Sequence, residues 1–206
     1  MTSDANGSDW PGATTTACRM SDEQSLAAAI CEEVSLRTHD PAWAQDFEKE
    51  RDRLQALVPG AFDAIEHIGS TAVPGLLAKP IIDIMAAVDS LDGVNALIER
   101  LCDNGYATSV EFNAALADRK WLMRWHEGHR THHLHIVVTG STPWSDRLDF
   151  RDALRSEPAT ARRYAQLKSE FAAKHQGDRE AYTDAKAAFV QTVLLAHRQR
   201  RQRRHG

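Results

Sequence analysis

The chain has 206 residues, 42% of them hydrophobic and 26% charged, with a formal net charge of −4. That length supports one substantial hydrophobic core rather than two full-sized domains, and no apolar run approaches the roughly 20 residues of a membrane span. The cysteines Cys18, Cys31 and Cys102 are scattered, odd in number and without a CxxC pair, so neither a disulfide framework nor a zinc–cysteine site is expected, and a reducing cytoplasm is the natural setting.

The first twenty residues lack a basic start followed by an apolar core, so no signal peptide is expected. Residues 1–30, rich in Ser, Thr, Gly and Ala, read as a disordered segment with a weak helix near Leu26–Ile30. Val34–Arg37 alternates as a short strand. Asp40-Pro41 then opens a helix, because Asp can cap the first free amides and Pro suits the first helical position. Along WAQDFEKERDRLQALV, residues Trp43, Phe47, Leu54 and Leu57 fall near one face, and Pro59-Gly60 ends the helix. The following stretch reads strand, Gly-containing turn, loop and strand. Ile81–Val88 is nearly continuously apolar, as a strand covered on both faces would be. A helix over Leu91–Cys102 ends at Asn104-Gly105. Three more strands are expected at Tyr106–Phe112, Lys120–Trp125 and His133–Val138. From Trp144 onward the pattern is helical in about three helices, with Gly177 breaking the last two. The order predicts an α+β fold: an α+β domain over residues 31–142 and a helical C-terminal subdomain over residues 143–206 with a basic tail.

That tail reads HRQRRQRRHG. Such a run can grip nucleic acid or anionic lipid, but its ordinary use is the solvated, frayed end of a helix, where cations suit the dipole. The acidic remainder disfavours a nucleic-acid protein.

Two features carry chemistry. In His67-Ile68-Gly69-Ser70-Thr71 a strand runs into a turn whose glycine admits close approach of a ligand and whose amides and hydroxyls can cradle an anion, a triphosphate being the obvious guest. The ordinary alternative is a plain strand-end turn. Asp83 interrupts the apolar strand. A buried, unpaired carboxylate is costly, so it must either sit at the sheet's rim or meet a cation: a hard metal beside phosphate oxygens or a side chain such as Lys79.

The run HIGSTAVPGLLAKPIIDIMAAV resembles the signature of the GrpB family, and THHLHIVV, LDFRDALR and YTDAKAAFV are similar to it in the same order and spacing. The resemblance spans roughly residues 34–195. It implies a mixed sheet flanked by helices, of the DNA polymerase beta-like nucleotidyltransferase superfamily, with a helical tail. It also implies a Gly-Ser turn followed by a strand with two acids one residue apart. Ile68-Gly69-Ser70 fits the turn and Asp83 the first acid. Met85 stands where the second would be, which weakens or removes one site of a two-metal mechanism.

His133 and His135 are the candidate substitutes. They share a strand face, while His132 points the other way. They could help bind Mn²⁺ or Zn²⁺, carry protons near neutral pH, or donate to phosphate; packing on the sheet is the ordinary alternative. His67 could join them from a neighbouring strand. Lys79, Arg124 and Arg130 flank these elements, and Arg151, Lys168, Tyr182 and Lys186 lie in the helical part, in pieces that resemble the family. The lysines and arginines could neutralise phosphate charge, and Tyr182 shares a helical face with Lys186. Trp43, Trp121, Trp125 and Trp144 read as packing rather than stacking platforms.

The expected activity is a metal-dependent nucleotidyl transfer from a nucleoside triphosphate to a small-molecule acceptor. Gly69, Ser70 and Thr71 would hold phosphates, and Asp83, His133 and His135 would hold Mg²⁺, Mn²⁺ or Zn²⁺ and carry catalysis. The pocket would lie between the sheet and the C-terminal helices. No membrane or nucleic-acid partner is expected. A non-catalytic nucleotide or metabolite sensor and a metal-dependent hydrolase are the alternatives.

Overall fold

The computed structural model describes residues 19–20, 36–127, 129–174 and 179–205. The expectations for residues 1–18 and 21–35, and for Gly177, lie outside them. Six strands form one mixed sheet: β1 Arg19–Met20, β2 Ala64–Ile68, β3 Ile82–Val88, β4 Tyr106–Ser109, β5 Arg119–His126 and β6 His129–Val138, in the order β1-β4-β5-β6-β3-β2. The helices are α1 Ala42–Leu57, α2 Asn95–Cys102, α3 Val110–Ala115, α4 Thr142–Ser156, α5 Pro158–Lys174 and α6 Arg179–His205. The fold is α+β, and no described helix is long and apolar enough to cross a membrane.

β3 pairs with β2 antiparallel and with β6 in parallel, which explains its apolar run: both neighbours are strands and both faces are covered. Strand alternation divides its side chains. Ile82, Ile84, Ala86 and Val88 join a core with Trp43, Phe47 and Leu54 of α1, with Val58 just past its end, and with Ile98 and Leu101 of α2. Met85 faces the other way, among Ile68, Val137, Trp144 and Leu148 of β2, β6 and α4. Fully burying each of these large side chains stabilises the fold by about 1.5–3 kcal/mol.

The start of α1 follows the sequence logic: Ala42 N donates to Asp40 Oδ1 at 2.9 Å. Its buried stripe contains one charge that the apolar pattern passed over. Glu50, 3% exposed, accepts from Tyr106 Oη at 2.6 Å, Arg53 Nη1 at 2.9 Å and Arg124 Nη1 at 2.5 Å. A buried carboxylate persists only with such partners. Arg124 is therefore committed to this network, on the face opposite Asp83.

Several expectations are corrected. Of the strand expected over Val34–Arg37, Arg37 forms an antiparallel bridge with Ala78, and its first half lies outside the described residues. The strand expected over Tyr106–Phe112 stops at Ser109, whose hydroxyl accepts from Phe112 N at 3.0 Å and caps α3. Cys102 is disulfide-bonded, because pairing depends on proximity in space, which scattered sequence positions conceal. The basic tail is not simply a solvated, frayed end. α6 continues to His205, Arg198 pairs with Asp146 and Asp149, Arg200 with Glu157, and Arg201 with Asp149 at 2.9 Å. Opposite charges on α4 and just beyond it hold the helix end.

Candidate functional site

Register gathers the site on one sheet face. Asp83 pairs with Ile68 on β2 and with His133 on β6, Met85 pairs with His135, and Trp121 of β5 lies opposite His135. Directly paired residues share a face, so Asp83, His133 and His135 are brought together. His133 Nδ1 donates to Asp83 Oδ1 at 3.0 Å. Burial pushes the Asp83 carboxyl up, but the His133 hydrogen bond and nearby charges, Lys186 among them, outweigh it and hold the group below its ordinary range. The donation from Nδ1 leaves Nε2 of a neutral His133 as the acceptor nitrogen, and that atom is buried without a partner among the described residues.

Gly69 follows β2 with φ 71° and ψ −168°, a conformation essentially reserved for glycine. It leaves room for Asp83: a Cβ on Gly69 would lie 2.2 Å from Asp83 Oδ2. Ser70 opens the 3-10 turn Ser70–Ala72. Lys168 Nζ of α5 donates to Ser70 Oγ at 3.0 Å and to the Leu77 carbonyl, and Tyr164, buried and one turn earlier, has its ring 4.9 Å from Lys168 Nζ and its hydroxyl near enough to Ser70 to feel it. Lys168 is only 6% exposed. Burial, with Lys186 adding to it and Asp83 opposing, pulls its ammonium down to about 8, so it stays charged at neutral pH. Burial and the charge of Asp83 push the Tyr164 hydroxyl up. A hydroxyl, a buried ammonium and a carboxylate thus meet at a glycine turn, with Lys186 close enough to influence both Asp83 and Lys168.

Other expected residues fall elsewhere. The Thr71 hydroxyl is turned inward, donating to the Ile81 carbonyl at 3.2 Å and contacting His67 Nε2 at 3.0 Å. It is spent on the fold rather than offered to a phosphate. His67 lies on the face opposite Asp83, stacked on Phe47 at 4.8 Å, because strand alternation separates it from Ile68. Burial pushes its imidazole down to about 4. Arg130 pairs with Trp125 across the β-bulge at Arg124/Trp125, so it shares the face of Trp125, Met123 and His133, and it sits over the Trp125 ring at 5.9 Å, beyond the start of β3. Arg151 donates to Glu66 Oε2 at 2.6 Å and to the His67 carbonyl at 3.1 Å, securing α4 to β2. Lys79 lies in the segment leading to β3, where its carbonyl accepts from Ile81 N at 2.8 Å. The Tyr182 side chain lies outside the described residues.

Among the described residues, no three His, Cys, Asp or Glu side chains are placed to hold a metal ion. The physical reasons are visible: Met85 is a wholly buried core residue, and the Asp83 oxygen nearest the histidines is engaged by His133. A resident ion held by Asp83, His133 and His135 has no preformed cage. A cleft of about 480 Å³ between Pro74–Leu76 and the start of α5 contains none of the expected site residues.

Tyr164, Arg119 and Arg147 were missed in the sequence. Arg119 pairs with Val137, on the face of His135, and Arg147 is half-buried on α4. Tyr164 had a usable signal: it stands four residues before Lys168, on the same helical face. The arginines offered none, since rim cations look like solvated ones until the register is known.

The chain matches the GrpB protein family over residues 33–195. It is 35% identical to the glutamate-rich protein GrpB of Alkalihalophilus pseudofirmus, over 79% of this chain and 94% of that protein. It is 34% identical to the UPF0157 protein YqkA of Bacillus subtilis, over 78% of this chain but spanning only 46% of that protein. The crystal structure of the conserved protein GrpB from Enterococcus faecalis has a similar fold, with a TM-score of 0.71 at 33% identity, covering 82% of this chain and 99% of that one. With its signature run forming the glycine turn and the Asp83 strand, this chain belongs to the GrpB family.

Proposed function

We propose that the chain is a nucleotidyltransferase that binds a nucleoside triphosphate, carried with its Mg²⁺ as substrate, at the Gly69–Ser70 turn and transfers the nucleotidyl group to a small-molecule acceptor. The observation that carries this reading is the convergence of Ser70, Lys168 and Asp83 at one glycine turn, with His133 beside them. Lys168 and Lys186 supply positive charge for the β and γ phosphates. Mg²⁺ bound with a nucleotide takes most ligands from phosphate and water and needs only one or two carboxylates, and Asp83 Oδ2, facing the turn, is such a carboxylate.

Asp83 holds His133 in one tautomer, and the bare Nε2 is the general base. The acceptor hydroxyl gives its proton to Nε2 and its oxygen attacks the α-phosphorus in line. The bond from that phosphorus to the bridging oxygen breaks, and pyrophosphate leaves with the electron pair.

The test is a mass-spectrometric screen of ATP, GTP, CTP and UTP with Mg²⁺ or Mn²⁺ and a metabolite extract, reading pyrophosphate and new nucleotidyl adducts. Transfer by the wild type that falls 10²-fold or more in His133→Gln, with nucleotide binding retained, supports the reading. Transfer unchanged in His133→Gln removes the base. Met85 favours a second reading, nucleotide binding without transfer, because a buried thioether replaces the expected second acid. Binding without any pyrophosphate release would select it.

A further inference from the structure

The same sheet face carries cations beyond His135 that the proposed transfer does not use. Gly69 and Ser70 lie past the end of β2 that pairs with Asp83, at the start of β3. Moving along β6 the other way, His135 comes two residues after His133, roughly 7 Å further, and Arg119 lies opposite Val137, two residues beyond that. His133 therefore stands between the phosphate turn and this second cluster. Arg147 reaches the cluster from α4, whose Trp144 and Leu148 pack on Val137 and Met85.

Three features set these groups apart from ordinary rim charges. Arg119 Nε and His135 Nδ1 are buried and have no hydrogen-bond partner among the described residues, although such atoms are nearly always satisfied. Among the described residues, much of each guanidinium fork is uncommitted: Arg119 Nη1 donates to Asp118 at 3.0 and 3.3 Å, and Arg147 Nη1 to the Pro143 carbonyl at 3.2 Å. Arg147 is also held below its ordinary range by burial and by the like charge of Arg119. Asp118, Asp83 and Asp146 offset part of that repulsion, and an anion bridging both half-buried guanidiniums would relieve more of it. Trp121 closes the side, 5.4 Å from both Phe112 and His133.

We propose that Arg119, Arg147 and His135 form a subsite for an anionic group, a carboxylate or a phosphate, on the acceptor substrate. The proposal rests on reading the Ser70 turn as the nucleotide site. It deepens that reading: an acceptor whose anion is clamped by the guanidiniums presents its hydroxyl toward His133 Nε2. Neutral His135, pushed down to about 3 by burial, can donate from Nδ1 without adding charge.

The test uses full-length Ser70→Ala protein, in which the turn no longer competes, titrated calorimetrically with inorganic phosphate and separately with acetate at fixed ionic strength. Arg119→Gln or Arg147→Gln is then added. The expected result is millimolar binding of one probe in Ser70→Ala, weakened about tenfold by either glutamine, with partial retention in Arg147→Lys. The probe that binds identifies phosphate or carboxylate. Circular dichroism controls for folding, and if Arg119→Gln unfolds, the Arg147 pair decides. Failure of both probes to bind Ser70→Ala, or binding indifferent to both arginines, overturns the subsite. Wild-type protein that binds no nucleoside triphosphate sinks the nucleotide reading separately, while the phosphate and acetate titrations still decide the arginines.

Discussion

The Asp83 carboxylate fills the space that a side chain at Gly69 would need, with Oδ2 only 2.2 Å from where that Cβ would lie. Gly69→Ala combines this collision with a backbone conformation that L side chains rarely adopt. The expected cost is about 1–3 kcal/mol from the backbone alone, and more as Asp83 is displaced from His133. Chemical denaturation should show the loss. Gly69→Ala with wild-type stability would mean that the turn and Asp83 are not packed as described.

Asp83→Asn separates a binding role from a structural one. The folded carboxyl is held below its ordinary value, so the carboxylate contributes stability above the unfolded pKa near 4, lost as pH falls through the folded value. Asn should therefore lower the melting temperature at pH 7, with a smaller deficit in acid. It should also weaken ATP binding about tenfold or more with Mg²⁺ present and change it little without Mg²⁺. Equal loss with and without Mg²⁺ would remove Asp83 from contact with the nucleotide's cation.

His67 sets an acid limit on the fold. Its folded pKa is about 4, below the unfolded value near 6.5. Between these values the unfolded chain binds more protons, so stability is full above about pH 6.5 and falls as pH drops toward 4. The loss through this one residue, 6% exposed, is on the order of 3 kcal/mol. His67→Phe should flatten the pH dependence of urea midpoints over that window. An unchanged slope would contradict the assignment to His67.

Deleting residues 197–206 removes the ion pairs from Arg198, Arg200 and Arg201 to Asp146, Asp149 and Glu157. The pairs are exposed and worth little singly, yet together they join α6 to α4. The truncated chain should melt at a lower temperature, and the gap should narrow in 0.5 M salt. No difference at low salt would return the tail to the solvated role expected from its sequence.

What the sequence made legible follows local periodicity. The apolar run of β3, the turn after Ile68 and the shared face of His133 and His135 depend on alternation with period two, which survives without tertiary knowledge. One missed feature is a local cap, and the others are long-range. Val110 and Phe112 have strand-like side chains, but the Ser109 cap turns the chain into a helix there. Glu50 occupies an apolar stripe because Tyr106 and Arg124 converge on it from distant segments and Arg53 joins them from one turn along the same helix. Arg119 and Arg147 gain meaning only through the β5–β6 register and the seat of α4. Thr71 shows the converse: a hydroxyl in the right motif faces inward because His67 and the Ile81 carbonyl claim it.

The most direct measurement is a calorimetric titration of ATP and GTP with Mg²⁺ into the wild type, Ser70→Ala and Lys168→Met, at pH 7 and pH 9. The account predicts binding by the wild type and a roughly tenfold or greater loss in each variant, as expected for hydrogen bonds to charged groups. It also predicts weaker wild-type binding at pH 9, because Lys168, whose folded pKa is about 8, gives up its proton there. Binding indifferent to Ser70 and Lys168, or no binding of either nucleotide by the wild type, would contradict it.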